Sequence, residues 1–295
     1  MNSWLIIVYF CLMARLLFIP TFFIVLSPIL WNLPQPWIVA LVLGTGFPHI
    51  ILGIKYSRKG TEKSWGFLSS KCVLCFLIPI SLIFGFSLGP IGLILFFALH
   101  HALSETYGHG QNTKPFVTLT RFLLIITTYL IACQGDVFIA ELPVVFSGVP
   151  ALLALLLLHQ VTRAQVKLAD AVIQAPWIVG APVIMALSTY QSIPWEAFIL
   201  FHFAFWGALP LFRNSMFRNN AHAKRMFWRD ALIWNGSGLA LFSALTLFSF
   251  YALDFRIFEL TLLAFYSMTY WHISASFFIS KANPSWLNSI LQRTT

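Results

Sequence analysis

The sequence predicts an all-α polytopic membrane protein with about ten transmembrane helices and both termini in the cytoplasm. Three observations predict it. The first is composition: the chain is 59% hydrophobic and 9% charged, with a mean hydropathy of +0.83. A soluble domain carries about 25% charged residues. The second is a series of apolar runs, each near the roughly 20 residues that a helix needs to cross a bilayer. The third is the alternation of lysine and arginine between successive loops. The whole chain, 1–295, reads as one integral membrane domain, because the longest polar stretch, Arg213 to Arg229, is too short for a separate folded unit.

The runs are approximately 4–30, 36–54, 70–87, 90–107, 117–134, 142–160, 171–189, 195–212, 231–252 and 257–280. The first lacks a basic leader and a small-residue cleavage site, so it is expected to stay as a helix. Pro34, Pro36, Gly89, Pro90, Pro143 and Pro194 mark turns between runs. Pro176 and Pro182 lie inside the seventh run and predict a kinked or broken helix. Asn235-Gly236-Ser237-Gly238 at the start of the ninth predicts a close helix–helix approach. Cys72 and Cys75 form a lone CxxC at the head of the third run and read as packing residues.

Basic residues fall in alternate loops. Lys55, Arg58, Lys59, Lys63 and Lys71 lie between runs two and three, and Lys114 and Arg121 around the junction of four and five. Arg163 and Lys167 follow run six; Arg213, Arg218, Lys224, Arg225 and Arg229 lie between eight and nine; Lys281 and Arg293 follow run ten. The opposite loops carry Asp136, Glu141, Glu196, Asp254 and Glu259, with Arg256 as their one basic residue, and Arg15 sits within the first run. The net charge of +9 is therefore a membrane-face feature, pointing to membrane lipid and not to nucleic acid.

Histidine is costly inside a bilayer and marks candidate sites there. His49 lies in run two, His100 and His101 in four, His159 in six, His202 in eight and His272 in ten, all helices of the same direction. His159 is the weakest member, beside Gln160 and a basic loop, and His222 reads as solvated. Run four ends in His100-His101-Ala102-Leu103-Ser104-Glu105, with His109 beyond. On a helix His101, Glu105 and His109 share one face, and His100 points elsewhere. His49, His100, His101, His202 and His272 are thus the candidate metal ligands, and Glu105 the candidate catalytic carboxylate. Scattered hydrogen-bonded packing residues are the alternative. Several imidazoles with at most one carboxylate and no thiolate suit Fe(II), and less distinctively zinc or copper. Glu105 is either a ligand or an acceptor that fixes a ligand's tautomer.

Gly46-Phe47-Pro48-His49 resembles the G-[LF]-P-H signature of the bacterial Brp/Blh family, membrane β-carotene dioxygenases that make retinal. His100 followed by Glu105 is similar to that family's histidine followed five residues later by aspartate. His202 lies where the family has two histidines four apart, with Trp206 in the second place; Trp271-His272 resembles a last P-H pattern, with tryptophan for proline. Gly53 stands where the family has an aspartate. The match consists of short motifs in order over most of the chain. The resemblance implies Fe(2+) held by histidines, O2 as co-substrate and a carotenoid or other long apolar substrate, in a bacterial inner membrane. Two other readings stand beside it: a proton or metal-ion transporter using intramembrane His and Glu, and a metal-free, histidine-dependent lipid transferase. The 30 phenylalanines are expected mostly to face lipid and pack helices.

Overall fold

The computed structural model describes residues 3–58, 94–105, 114–133, 148–150, 152–153, 155–156, 159, 168–212, 220–252, 256–279 and 284–293. Among them every regular element is helical. The helices are α1 Ser3–Asn32, α2 Gln35–Arg58, α3 Ile94–Glu105, α4 Pro115–Ala132, α5 Leu168–Ser188, α6 Glu196–Phe212, α7 Ala221–Ala252, α8 Arg256–Ile279 and α9 Ser285–Arg293. Three described segments are long and apolar enough to cross a membrane: Gln35–Gly53, Pro115–Ala132 and Ala221–Tyr251. The run at 70–87, the CxxC and His109 lie outside the described residues.

Helix α2 is the axis of the bundle, and its closest partner is α7. Small residues set that crossing. A Cβ on Gly238 would come within 2.3 Å of the Gly44 carbonyl oxygen, and one on Gly44 within 2.9 Å of the Leu239 backbone. Pro48 explains why this carbonyl is available. It sits four residues after Gly44 and has no N–H to donate back to it. The expected close approach at Asn235–Gly238 is therefore real at Gly238; Gly236 has nothing near it. At the far end of the same pair, buried Asp230 on α7 accepts hydrogen bonds from Lys55 Nζ at 2.5 Å and the Tyr56 hydroxyl at 2.7 Å. Burial, and then that bond to Asp230, push the Tyr56 hydroxyl well above its ordinary pKa.

The other helices are tied at their ends. Trp31 Nε1 donates to the Ser192 carbonyl at 3.1 Å, Gln35 Nε2 to Glu196 Oε1 at 2.8 Å, and Ile193 N to the Ala132 carbonyl at 2.8 Å. The end of α1, the start of α2, the end of α4 and the start of α6 thus meet at one end of the bundle, as helices of alternating direction do. Gly180 on α5 is pressed against Ile19 of α1, whose Cγ2 would lie 2.4 Å from an added Cβ. Phe23, Phe198, Phe201 and Trp177 are fully buried between helices, whereas Phe248 and Phe250 on α7 are exposed. The core is aromatic because neighbouring helices present rings to one another in tilted and edge-on pairs, such as Phe23 with Phe198 at 4.9 Å.

Several expectations are corrected. Helix α7 begins at Ala221, so Lys224, Arg225 and Arg229 are helical and not part of a loop. Arg121 is not a loop cation: it lies in the second turn of α4, is 0% exposed, and its Nη1 donates to the Ala102 carbonyl of α3 at 3.1 Å. Of the kinked or broken helix expected at Pro176 and Pro182, the break is not found: α5 runs continuously from Leu168 to Ser188. The short α9 was not foreseen.

Candidate metal centre

Four helices bring histidines to one place. The Gly44–Gly238 crossing and Pro48 position His49 on α2, and α3, α6 and α8 carry His100, His202 and His272 beside it. Ring centroids are 5.0 Å apart for His49 and His202, 5.3 Å for His49 and His272, 4.9 Å for His100 and His202, and 5.5 Å for His100 and His272. The same four rings line a cavity of about 20 Å³, closed by Phe97, Ile199, Phe203, Phe265 and other mainly apolar side chains. That is room for an ion or a water molecule. Thr269 also lines it, but its hydroxyl donates to the Phe265 carbonyl of its own helix at 2.8 Å.

The polar bookkeeping of this cavity is incomplete. Nε2 of His49, Nε2 of His272 and both ring nitrogens of His202 are buried without a hydrogen-bond partner. Each such atom costs about 1–3 kcal/mol if nothing satisfies it. Three of these ring pairs meet edge to face and His100–His202 is tilted, and among the described residues no group of three His, Cys, Asp or Glu side chains is arranged to hold a metal ion as they stand. The donor set nonetheless fits one: four imidazoles from separate helices face one ion-sized space, and three of them have lone pairs or N–H groups with no other use.

His101 has a different environment from its neighbour. It does not line the cavity but stands behind His202 at 5.2 Å, boxed by Trp177 and Phe201, each at 5.3 Å. Its Nδ1 is hydrogen-bonded to the Tyr129 hydroxyl at 3.0 Å, and its Nε2 lies 3.7 Å from Glu105 Oε1. Trp177 Nε1 donates to the same carboxylate oxygen at 3.3 Å. Glu105, 2% exposed, therefore accepts from Trp177 and stands beside His101, whose Nε2 has no hydrogen-bond partner, in a buried cluster with Tyr129. Tyr129 and Trp177 were not picked out from the sequence. The available signals were faint: Tyr129 follows Thr127 and Thr128 in an apolar run, and Trp177 follows an intrahelical proline.

The remaining histidines stand apart. His159 is exposed and packs against Phe116 at 5.6 Å, so the histidine-bearing helices that meet are four and not five. His222 is exposed in the first turn of α7. Two of the departures from the family-like pattern fall on the cluster itself. Trp206 packs edge-on to His49 at 5.6 Å, and Gly53 lies against His272, whose Cε1 would be 3.1 Å from an added Cβ. No protein-family model, curated protein or solved structure matches the chain.

Proposed function

We propose that the chain is an oxygenase of the bacterial inner membrane, with ten spans and cytoplasmic termini, which uses Fe(2+) and O2 to cleave a long apolar substrate of the carotenoid class. The observation that carries this reading is the convergence of His49, His100, His202 and His272 on one buried cavity, with ring nitrogens of His49, His202 and His272 lacking partners. These four residues would hold the iron. Bound there, iron would supply the activation of O2 that a hydrocarbon double bond needs.

The chain's own residues supply the rest. Phe97, Phe203 and Phe265 wall the cavity with rings and keep its lining mainly apolar. The hydrogen bond with Tyr129 fixes one edge of the His101 ring, which packs edge-on to His202 at 5.2 Å and so limits how His202 can turn. Trp206 occupies the side of His49 that a further histidine would need, which leaves the four rings as the donor set. An apolar substrate would come laterally from the bilayer.

Purified protein is expected to carry about one iron per chain, following from the ligand inventory. Expression in carotene-accumulating bacteria is expected to bleach the orange colour and form retinal. Bound iron without bleaching would remove the carotenoid and keep the metal site; absence of both, in well-folded protein, would overturn the reading. A reporter fused after Lys63 should read cytoplasmic and one after Glu141 periplasmic, as the charge alternation requires.

A further inference from the structure

We propose that a second, smaller cavity, between α3, the end of α4 and the start of α6, is a holding site for dioxygen one side chain away from the histidines. Its occupant rests on the oxygenase reading above; its physical character does not. The cavity is about 10 Å³ and is lined by Ile94, Phe97, Phe198, Ile199, Trp195, Tyr129 and Cys133. That is near the space of one small molecule.

Two features decide what it can hold. The first is dryness. A buried water needs two to four polar partners. Apart from the Cys133 thiol the walls here are aliphatic and aromatic, and the Tyr129 hydroxyl is already engaged with His101 Nδ1 at 3.0 Å. Empty cavities in proteins are apolar, and a larger engineered one stays dry and takes xenon as a guest. Dioxygen is such a guest, being uncharged, without a dipole and more soluble in hydrocarbon than in water. A membrane interior therefore delivers it to such a space.

The second feature is position. Phe97 and Ile199 line both cavities, so they form the partition between the small apolar space and the four histidines. A molecule held in the first has one pair of side chains to pass before it reaches the second. Phe97 also packs edge-on to His202 at 5.1 Å, so a turn of that ring is felt on both sides. The cavity thus acts as a local reservoir that raises the chance of finding O2 at the histidines once substrate is bound.

Xenon is the probe for the site, because it is apolar, unreactive and visible by anomalous scattering. Xenon-pressurised crystals of the wild-type protein should show a xenon atom between Phe97, Tyr129 and Phe198. Ile94→Phe should fill the cavity, remove that xenon, and raise the apparent KM for O2 several-fold, with iron content and the KM for carotenoid unchanged. An empty cavity in wild-type protein that consumes O2 would overturn the holding site and leave the oxygenase reading intact. So would a variant that excludes xenon with an unaltered KM for O2. Xenon at the site in a protein that binds no iron and consumes no O2 would sink the oxygenase reading, and with it dioxygen as the occupant.

Discussion

Helix α2 takes part in two buried polar regions that are built on opposite principles. At its far end, Asp230 of α7 is buried and its carboxylate accepts hydrogen bonds from Lys55 and Tyr56, with Arg229 Nη2 3.4 Å from its other oxygen. Charge and hydrogen bonds are matched there, and the region fastens two helices. Midway along α2, His49 meets His202 and His272, and the ring nitrogens named above have no partner. Buried polar groups are normally satisfied. The open nitrogens beside the fully partnered Asp230 are the observation behind the proposed metal site. The contrast separates fastening from function on a single helix.

The comparison breaks most sharply at the histidines. Single changes of His49, His100, His202 and His272 to alanine should each reduce activity to background and lower iron content, measured by metal analysis and retinal formation. The four effects should not add, because any one loss dismantles a shared site. Full activity and full iron in two of these variants would end the shared-site idea.

Next in size is the crossing that places His49. Gly238→Ala puts a methyl group 2.3 Å from the Gly44 carbonyl, a backbone atom with no room to yield. The helices must part, and a loss of about 1–3 kcal/mol is expected from overpacking. Thermal unfolding in detergent would show it, with activity falling as His49 is displaced. A Gly236→Ala control should be close to neutral, since nothing lies near that position.

The cluster behind His202 should give a graded effect. Tyr129→Phe leaves His101 Nδ1 without its 3.0 Å partner, and Glu105→Gln weakens the other side. Each should lower iron affinity or activity by about 10–100-fold while the protein still loads at high iron, as expected of residues that orient ligands. Complete loss of iron in His101→Asn, equal to that in His49→Ala, would move His101 into the ligand set.

The smallest effect tests the boundary of the site. His159→Ala and His222→Ala should leave iron content, activity and unfolding temperature unchanged, because both side chains are exposed and away from the cluster. A loss of iron in either would show that the four-helix convergence does not bound the site.

Much of this was legible in the chain itself. Helix positions for α1, α2, α4, α5, α6 and α8 follow the apolar runs to within a few residues. A spanning helix must be apolar for a length set by the bilayer, and that is a one-dimensional property. The cost of burying imidazole likewise singled out His49, His100, His101, His202 and His272 before any fold was known, although His101 does not line the cavity. Where these signals failed, the reason was also physical. The hydropathy run beginning at 231 missed the first ten residues of α7, because a helix can run on past its apolar part with charged residues on exposed faces. Counting Arg121 with the loop cations missed that its guanidinium turns inward to Ala102.

The sequence by itself therefore determined that this is a helical chain with membrane-length apolar segments and a set of histidines too expensive to be placed among them without cause. Only the tertiary structure decided how each helix is rotated about its axis. That rotation puts His100 in the cavity and turns His101, the next residue, toward Tyr129 and Glu105. It also joins Tyr129 and Trp177 to the site and leaves His159 outside it. Rotation and crossing point are set by contacts between residues far apart in the chain, such as Gly44 with Gly238, and neither apolar length nor charge count contains that information.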